Sequence, residues 1–415
     1  MAPPEETPAV ARSPLSYPAF RVLWLAGIVS FIGSFVQNVG EAWLMMDLTK
    51  SPLPVAILST AFVGASLFMM LPAGVLADRH DRRKIAFVSQ IVQMAAALMM
   101  AVLSFTGHIT PGALVFGVAL LGVGMALGAP AWVSLIPELV PRELVAEAVA
   151  LNAVAFNLAR TVGPAIGGLV LSRFGATASF VLNAASFAVV MIALTMHRKL
   201  DPPRRPTSMR PMATAFSEPW TAVASGGVIR PIIIAMLGFS LGAGMFYALT
   251  PAFAKDTLGA SARSYGLMIG AMGAGAVLGA SIMKRLRNRM SPHVLVAATM
   301  AVFAGSVGAL ARVSSVPVAM ALLVPAGAGW LGSFSSLQAL VQIWAPERLR
   351  ARILALYQVV HLAAWASASA LGGVLADRHG IRAAITIGAV VCALAALSTW
   401  KLGLPRSFSG AVHPV

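Results

Sequence analysis

The chain has 415 residues, 58% of them apolar and only 11% charged. A soluble domain carries roughly a quarter charged residues, so this composition excludes an ordinary water-soluble enzyme and leaves room for a dozen membrane spans of about 20 residues. The net charge of +16 does not point to nucleic acid: the basic residues cluster in short segments between apolar runs, and no RNA-binding or zinc motif accompanies them.

The first 20 residues are polar and Pro-rich with no apolar core. They do not read as a cleavable signal peptide, so the first span is expected to be an uncleaved anchor. Apolar runs then predict twelve spans near 20–46, 54–77, 84–106, 112–136, 146–172, 176–196, 231–254, 264–283, 293–311, 317–343, 352–376 and 382–401. In lipid such runs can cross only as helices, because hydrocarbon offers backbone groups no partner. The one cysteine, Cys392, lies in the last run, which rules out an intramolecular disulfide or a cysteine-based metal cluster.

Loop parity predicts orientation. With the N-terminus inside, 22 of the 30 Lys and Arg fall in cytoplasmic segments and seven on the opposite face, with Arg160 inside a span. This bias places both termini in the cytoplasm. Residues 197–230 are basic and Pro-rich and read as a cytoplasmic linker. The expected plan is a tail (1–19), a six-helix half (20–196), the linker (197–230), a second six-helix half (231–401) and a tail (402–415).

An internal repeat supports two parallel halves. At an offset of 205 residues, 141–178 aligns with 346–383, and 13 of 38 positions are identical, including Gly167/Gly372, Gly168/Gly373, Arg173/Arg378 and Gly175/Gly380. Chance at this composition gives roughly three or four, and a fixed offset is the mark of duplicated units. Transporters place binding sites between such repeats, near the bilayer midplane. A second match, GVLADRH at 74–80 and 373–379, falls on opposite membrane faces by parity and is read as a coincidence of two helix ends.

The segment from Gly74 through Asp78, Arg79, Asp81, Arg82 and Arg83 to Lys84 joins spans two and three. Gly74 would let another helix approach closely. Asp78 could pair with Arg82 or face a helix N-terminus, and a charge pair made in one conformation and broken in the other can serve as a gate. This segment resembles the G-x-x-x-D-R-x-G-R-R loop of the major facilitator superfamily, with Asp81 where glycine is usual. Asp81, Trp43-Leu44-Met45, Pro130-Ala131-Trp132, Pro137-Glu138-Leu139-Val140-Pro141, Asn157-Leu158-Ala159-Arg160, Pro346-Glu347-Arg348-Leu349-Arg350-Ala351-Arg352 and Ala355-Leu356-Tyr357-Gln358 resemble its branch of bacterial enterobactin exporters and macrolide efflux proteins. In span five, Gly163-Pro164-Ala165-Ile166-Gly167-Gly168 resembles the signature of antiporters and drug exporters. The resemblance implies an all-α fold of twelve helices in two pseudo-repeated halves around a central cavity. It further implies residence in the bacterial inner membrane and export.

Polar residues inside the spans should face a bundle interior or water-filled cavity. Span one carries Gln37, Asn38 and Glu41; span five Asn157 and Arg160; span ten Ser335, Gln338 and Gln342; span eleven His361 and Trp365. Arg160 is read as a substrate contact or as a charge partner in the conformational cycle, against a structural pair within the bundle. A carboxylate such as Glu41 in a low-dielectric cavity can exchange a proton near neutral pH, against the alternative of a solvated group at the cavity mouth. His361 is a second titratable candidate, against a histidine filling a polar gap. Trp43 and Trp132 near span ends are read as interfacial anchors.

The leading reading is a proton-coupled exporter of a small amphipathic molecule, working as a monomer by alternating access. A lipid or lysolipid flippase and an uptake permease on the same fold are the alternatives. A membrane enzyme would need a convergent catalytic or metal constellation, and none is expected; nor is a cofactor. No Walker loop is present for a pump. The expected partners are the substrate, protons and lipid, and no nucleic acid.

Overall fold

The computed structural model describes residues 13–135, 138–196, 220–221, 223–224, 226–346, 349–401, 403–405 and 407–408, without the side chains of Leu71, Val75, Ala77, Asp78, Arg79 and Ala351. Pro137, Glu347, Arg348, most of the expected linker (197–219) and much of both expected tails lie outside the described residues.

Among the described residues every regular element is helical. Spans one to four are Pro18–Thr49, Pro52–Arg79, Arg82–Phe105 and Pro111–Leu135. Proline opens three of them because its missing N–H would have no helical partner there anyway. A single run, Val145–Met196, follows. Its 52 residues would extend about 78 Å at 1.5 Å per residue, far beyond a ~30 Å hydrocarbon core. Gly175 breaks it, with φ 76° and ψ 177°. Spans five and six are therefore the arms on either side of Gly175.

The second half comprises span seven (Ile229–Ala252, extended by a π-helical turn Phe253–Thr257), span eight (Ala262–Arg289), span nine (Pro292–Leu310), span ten (Val316–Trp344), span eleven (Arg350–His379) and span twelve (Ile381–Ser398). The described residues thus form twelve spans in two halves. We call the side where span one begins and span twelve ends the terminal face, and the other the far face. Large apolar side chains such as Phe68, Phe105 and Val133 are exposed, as expected of a lipid-facing surface.

The repeat reappears as geometry. Gly175 and Gly380 both have left-handed φ, 76° and 87°, at the turns from span five to six and from span eleven to twelve. Gly167 packs on Val36 and Val39 of span one, while Gly372 packs on Met245 of span seven. Gly168 meets Ala262 and Gly266 of span eight, and Gly373 meets Leu53 and Ala56 of span two. In each half, then, the first glycine seats the helix within its own half and the second seats it against the other half. Helices in lipid gain little from burial, so such close backbone packing carries the assembly.

The two GVLADRH segments sit differently. A Cβ at Gly74 would meet nothing within 4 Å, whereas one at Gly373 would lie 3.0 Å from Leu53 Cα. The second segment ends in Asp377, which accepts a hydrogen bond from Ser51 Oγ at 2.9 Å on the far face.

The apolar core of the first half is interrupted at mid-depth. One cluster gathers Phe20, Leu23, Leu127, Leu135 and Val190, and another Met45, Met46, Leu114, Phe180 and Phe187. Gln37, Glu41 and Asn183 are buried in the same half. Trp132, expected as an interfacial anchor, instead packs against the first of these clusters with its Nε1 buried.

Candidate functional site: a cavity between the halves

A cavity of about 330 Å³ lies between the halves, lined by Asn38 and Glu41 of span one, Phe62 of span two, Tyr247 of span seven, Tyr265 of span eight and Trp365 of span eleven, among others. Glu41 is 8% exposed and receives a hydrogen bond from Gln37 Nε2 at 3.4 Å. Gln37 is held in turn: Asn183 Nδ2 of span six donates to Gln37 Oε1 at 2.7 Å, and Ser186 donates to Asn183 Oδ1 at 3.0 Å. This chain orients the Gln37 amide so that its N–H side faces the carboxylate. Asn183 was not singled out from the sequence, although Ser179, Asn183 and Ser186 recur at helical spacing along span six and were the available signal.

Behind the cavity stands a closed circuit of rings. Tyr247 lies 4.9 Å from Trp365, Trp365 5.7 Å from His361, His361 5.1 Å from Phe334, Phe334 5.5 Å from Trp330 in parallel stacking, and Trp330 6.1 Å from Tyr247. His361 Nδ1 is fixed by Ser240 Oγ at 2.8 Å. Arg160, from the opposite half, places its guanidinium carbon 3.8 Å from the centre of the Trp330 ring, and Tyr247 interacts with the same guanidinium. A desolvated cation–π contact of this kind contributes ~2 kcal/mol. Arg160 and Trp365 are equivalent positions of the repeat at its offset of 205 residues. One duplicated position thus supplies the cation and its counterpart an aromatic wall.

The other expected residues are placed as follows. Asn157 turns back onto its own helix, donating to the Ala153 carbonyl at 2.8 Å. Gln342 is exposed and Gln338 half-buried, and neither lines the cavity. On span ten, Ser335 accepts from Arg287 of span eight at 2.9 Å, and Trp330 and Phe334 join the ring circuit. Their four-residue spacing, matched by His361 and Trp365 on span eleven, was the available signal.

At the terminal face, Arg82 pairs with Glu138 at 2.6 Å, with both side chains more than a third exposed. The Arg82–Asp78 pairing suggested by the sequence rests on a side chain outside the described residues. The side chains of Asp78 and Arg79 lie outside the described residues, and Arg83 is half-buried. The close approach expected at Gly74 is not made in this conformation. Asp81 caps span three, its carboxylate accepting the Arg83 N–H at 2.8 Å, which accounts for the departure from glycine. Asp81→Ala is expected to cost about 1 kcal/mol and Asp81→Gly only a few tenths. Thermal unfolding of the two purified variants checks the order.

In span five, Gly163 and Gly167 share the face on span one, a Cβ at Gly163 lying 2.6 Å from Phe35 Cβ, while Gly168 faces span eight. Pro164 stays within helical backbone, the one non-helical residue of that run being Gly175. At the far face Lys255, on the π-turn, pairs with Asp47 and lies 5.3 Å over Trp43, and Thr60 of span two donates to the Ala366 carbonyl of span eleven at 3.1 Å. The halves are therefore tied together from mid-depth to the far face.

Two bundles joined around a central cavity, with paired glycine seams, define a transporter of the major facilitator type. Solved structures agree on the fold: a bacterial homologue of the human lysosomal transporter Spinster, in an inward-facing occupied conformation, matches with TM-score 0.73 at 13% identity, covering 94% of this chain and 97% of that one. A D-xylose–proton symporter matches with TM-score 0.71 at 16% identity, over 93% and 97%. The family described as transmembrane secretion effector matches residues 9–414, and the chain belongs to it. Among curated relatives, the enterobactin exporter EntS of Citrobacter koseri is 27% identical over 405 residues, covering 95% of this chain and 94% of that protein. The protein of the same name from Salmonella typhimurium is 27% identical over 95% and 94%.

Proposed function

We propose that this protein is a secondary exporter, not an enzyme, that moves a small amphipathic molecule out of the bacterial cell by alternating access. The terminal face, with its excess of basic loops, is cytoplasmic, and both termini lie there. The expected six-helix halves, 20–196 and 231–401, rock as a monomer about the cavity. The far-face ties through Asp47–Lys255 and Ser51–Asp377 suit a state closed to the outside. Export rather than uptake rests on the exporter relatives, since a D-xylose–proton symporter shares the fold.

The observation that carries the reading is Glu41: an ionisable group at membrane depth, lining the same inter-half cavity as Tyr247 and Trp365. Such groups face substrate or proton pathways because exposure to lipid is costly. Glu41 exchanges a proton with the outside when the far face opens, and the proton gradient thereby drives the cycle. Inside-out vesicles energised by respiration should accumulate a substrate, and a protonophore should abolish that uptake. Glu41→Gln should remove gradient-driven accumulation while leaving substrate binding. Protonophore-sensitive accumulation at the unsubstituted rate in Glu41→Gln would remove Glu41 from the coupling.

A further inference from the structure

The aromatic circuit carries an inference about substrate class, which rests on the export reading. Two buried donors at its centre have no acceptor from the protein: Arg160 Nη2 and Trp330 Nε1. They belong to groups in direct contact, since the guanidinium lies on the indole face at 3.8 Å. A buried donor without an acceptor costs ~1–3 kcal/mol, more when charged, so the pair favours any ligand that brings a concentrated acceptor. Around them, Tyr247, Trp365, His361 and Phe334 close the circuit with Trp330, the centroids of successive rings 4.9–6.1 Å apart. Rings so arranged take a flat π-system in offset or edge-on packing better than an aliphatic body of equal size. Tyr247 and Trp365 also line the 330 Å³ cavity, which gives a ligand a way to the circuit from between the halves.

Together, we infer that the site selects a flat aromatic ring bearing an oxyanion: the oxyanion on Arg160 Nη2 and Trp330 Nε1, the ring against Tyr247 and Trp365. Because Arg160 comes from the first half and the rings from the second, such a ligand bridges the two halves. A cation would be repelled by the Arg160 guanidinium, and a neutral aliphatic compound would satisfy neither donors nor rings.

The test uses the full-length protein in lipid nanodiscs and equilibrium dialysis with three probes of similar shape: 2-naphthoate, its neutral amide 2-naphthamide, and the saturated decalin-2-carboxylate. Naphthoate is expected to bind at least about tenfold more tightly than either, the size of one charge-assisted contact or one stacking interaction lost. Arg160→Gln should remove the preference for naphthoate over the amide. Trp365→Leu, which removes a ring wall but neither donor, should weaken both naphthyl probes and leave the decalin acid unchanged. Equal binding of the three probes, or an unchanged preference in Arg160→Gln, overturns the inference. Should a variant fail to fold, the probe comparison on the unsubstituted protein still decides. Vesicle accumulation with no naphthoate preference would leave export standing without this substrate class; naphthoate binding without accumulation would leave the site and remove export.

Discussion

Gly168→Leu is expected to abolish transport while leaving a folded, membrane-inserted protein. A Cβ at Gly168 would lie 2.8 Å from the Ala262 carbonyl oxygen, 2.9 Å from Gly266 Cα and 3.1 Å from the Arg263 carbonyl oxygen. All three are backbone atoms of span eight, so no rotamer change relieves the clash, and the halves must part along this seam. Each half keeps its own packing, because Gly168 contacts the opposite half while Gly163 and Gly167 seat span five on span one. Spin labels at the exposed residues Arg173 and Arg263 should report a longer separation across the far face than in the unsubstituted protein. Wild-type transport in Gly168→Leu would show that this seam does not govern the cycle. Gly74→Leu provides the contrast: it has open space in this state and can act only in a state where the terminal face closes.

The largest loss of stability is expected from the crossing of spans eight and ten. A Cβ at Gly275 would sit 2.7 Å from the Val324 carbonyl carbon and 2.9 Å from Val324 Cα, and one at Gly327 would sit 2.8 Å from the Met272 carbonyl carbon and 3.0 Å from the Ala276 nitrogen. The two glycines are reciprocal, each meeting the backbone of the other helix. Alanine at either should push the helices apart, and overpacking of this kind costs typically 1–3 kcal/mol, more where backbone must move. Once the helices have separated for one methyl group, the second meets less resistance. The double variant should therefore be less destabilised than the sum of the singles, as for coupled neighbours. Thermal unfolding of the singles and the double in one detergent measures this directly, and strict additivity would contradict the shared crossing.

Much of this fold was legible from residues alone, and the reason is physical. A span must be long, apolar and helical, so its existence is written in composition; the ends moved by a few residues, as with span two, expected at 54–77 and found at Pro52–Arg79. The repeat was legible because a close helix crossing or a left-handed turn demands glycine, and Gly167, Gly168 and Gly175 recur with their geometry at Gly372, Gly373 and Gly380. The lining of the cavity was less legible. Hydroxyls in a membrane helix can satisfy themselves on their own backbone, as Ser333 does on Gly329 and Ser369 on Trp365, at 2.8 and 2.9 Å. A polar stripe therefore marks an interior face without saying which interior. On span ten the stripe singled out Gln338 and Gln342, while the rings of Trp330 and Phe334, which join the aromatic circuit, went unremarked. Glu138 as a partner of Arg82 was missed for a related reason: an arginine takes a carboxylate that folding brings near, and Glu138 stands 56 positions away in the chain.

The equivalence of Arg160 and Trp365 bears on how a protein of this kind can change its cargo. The ancestral duplication left the joints of both copies alike, in the glycines that seat one helix and turn into the next, while the residues between them drifted apart. On the proposed reading, the seams that move and the side chains that recognise are thus separate along a single helix, about two turns from one another. New specificities can arise by exchanging side chains at 160, 330 or 365 without disturbing the bearings on which the bundles swing. Lineages descended from such a chain would be expected to diversify fastest at the middle of these helices and slowest at their seams.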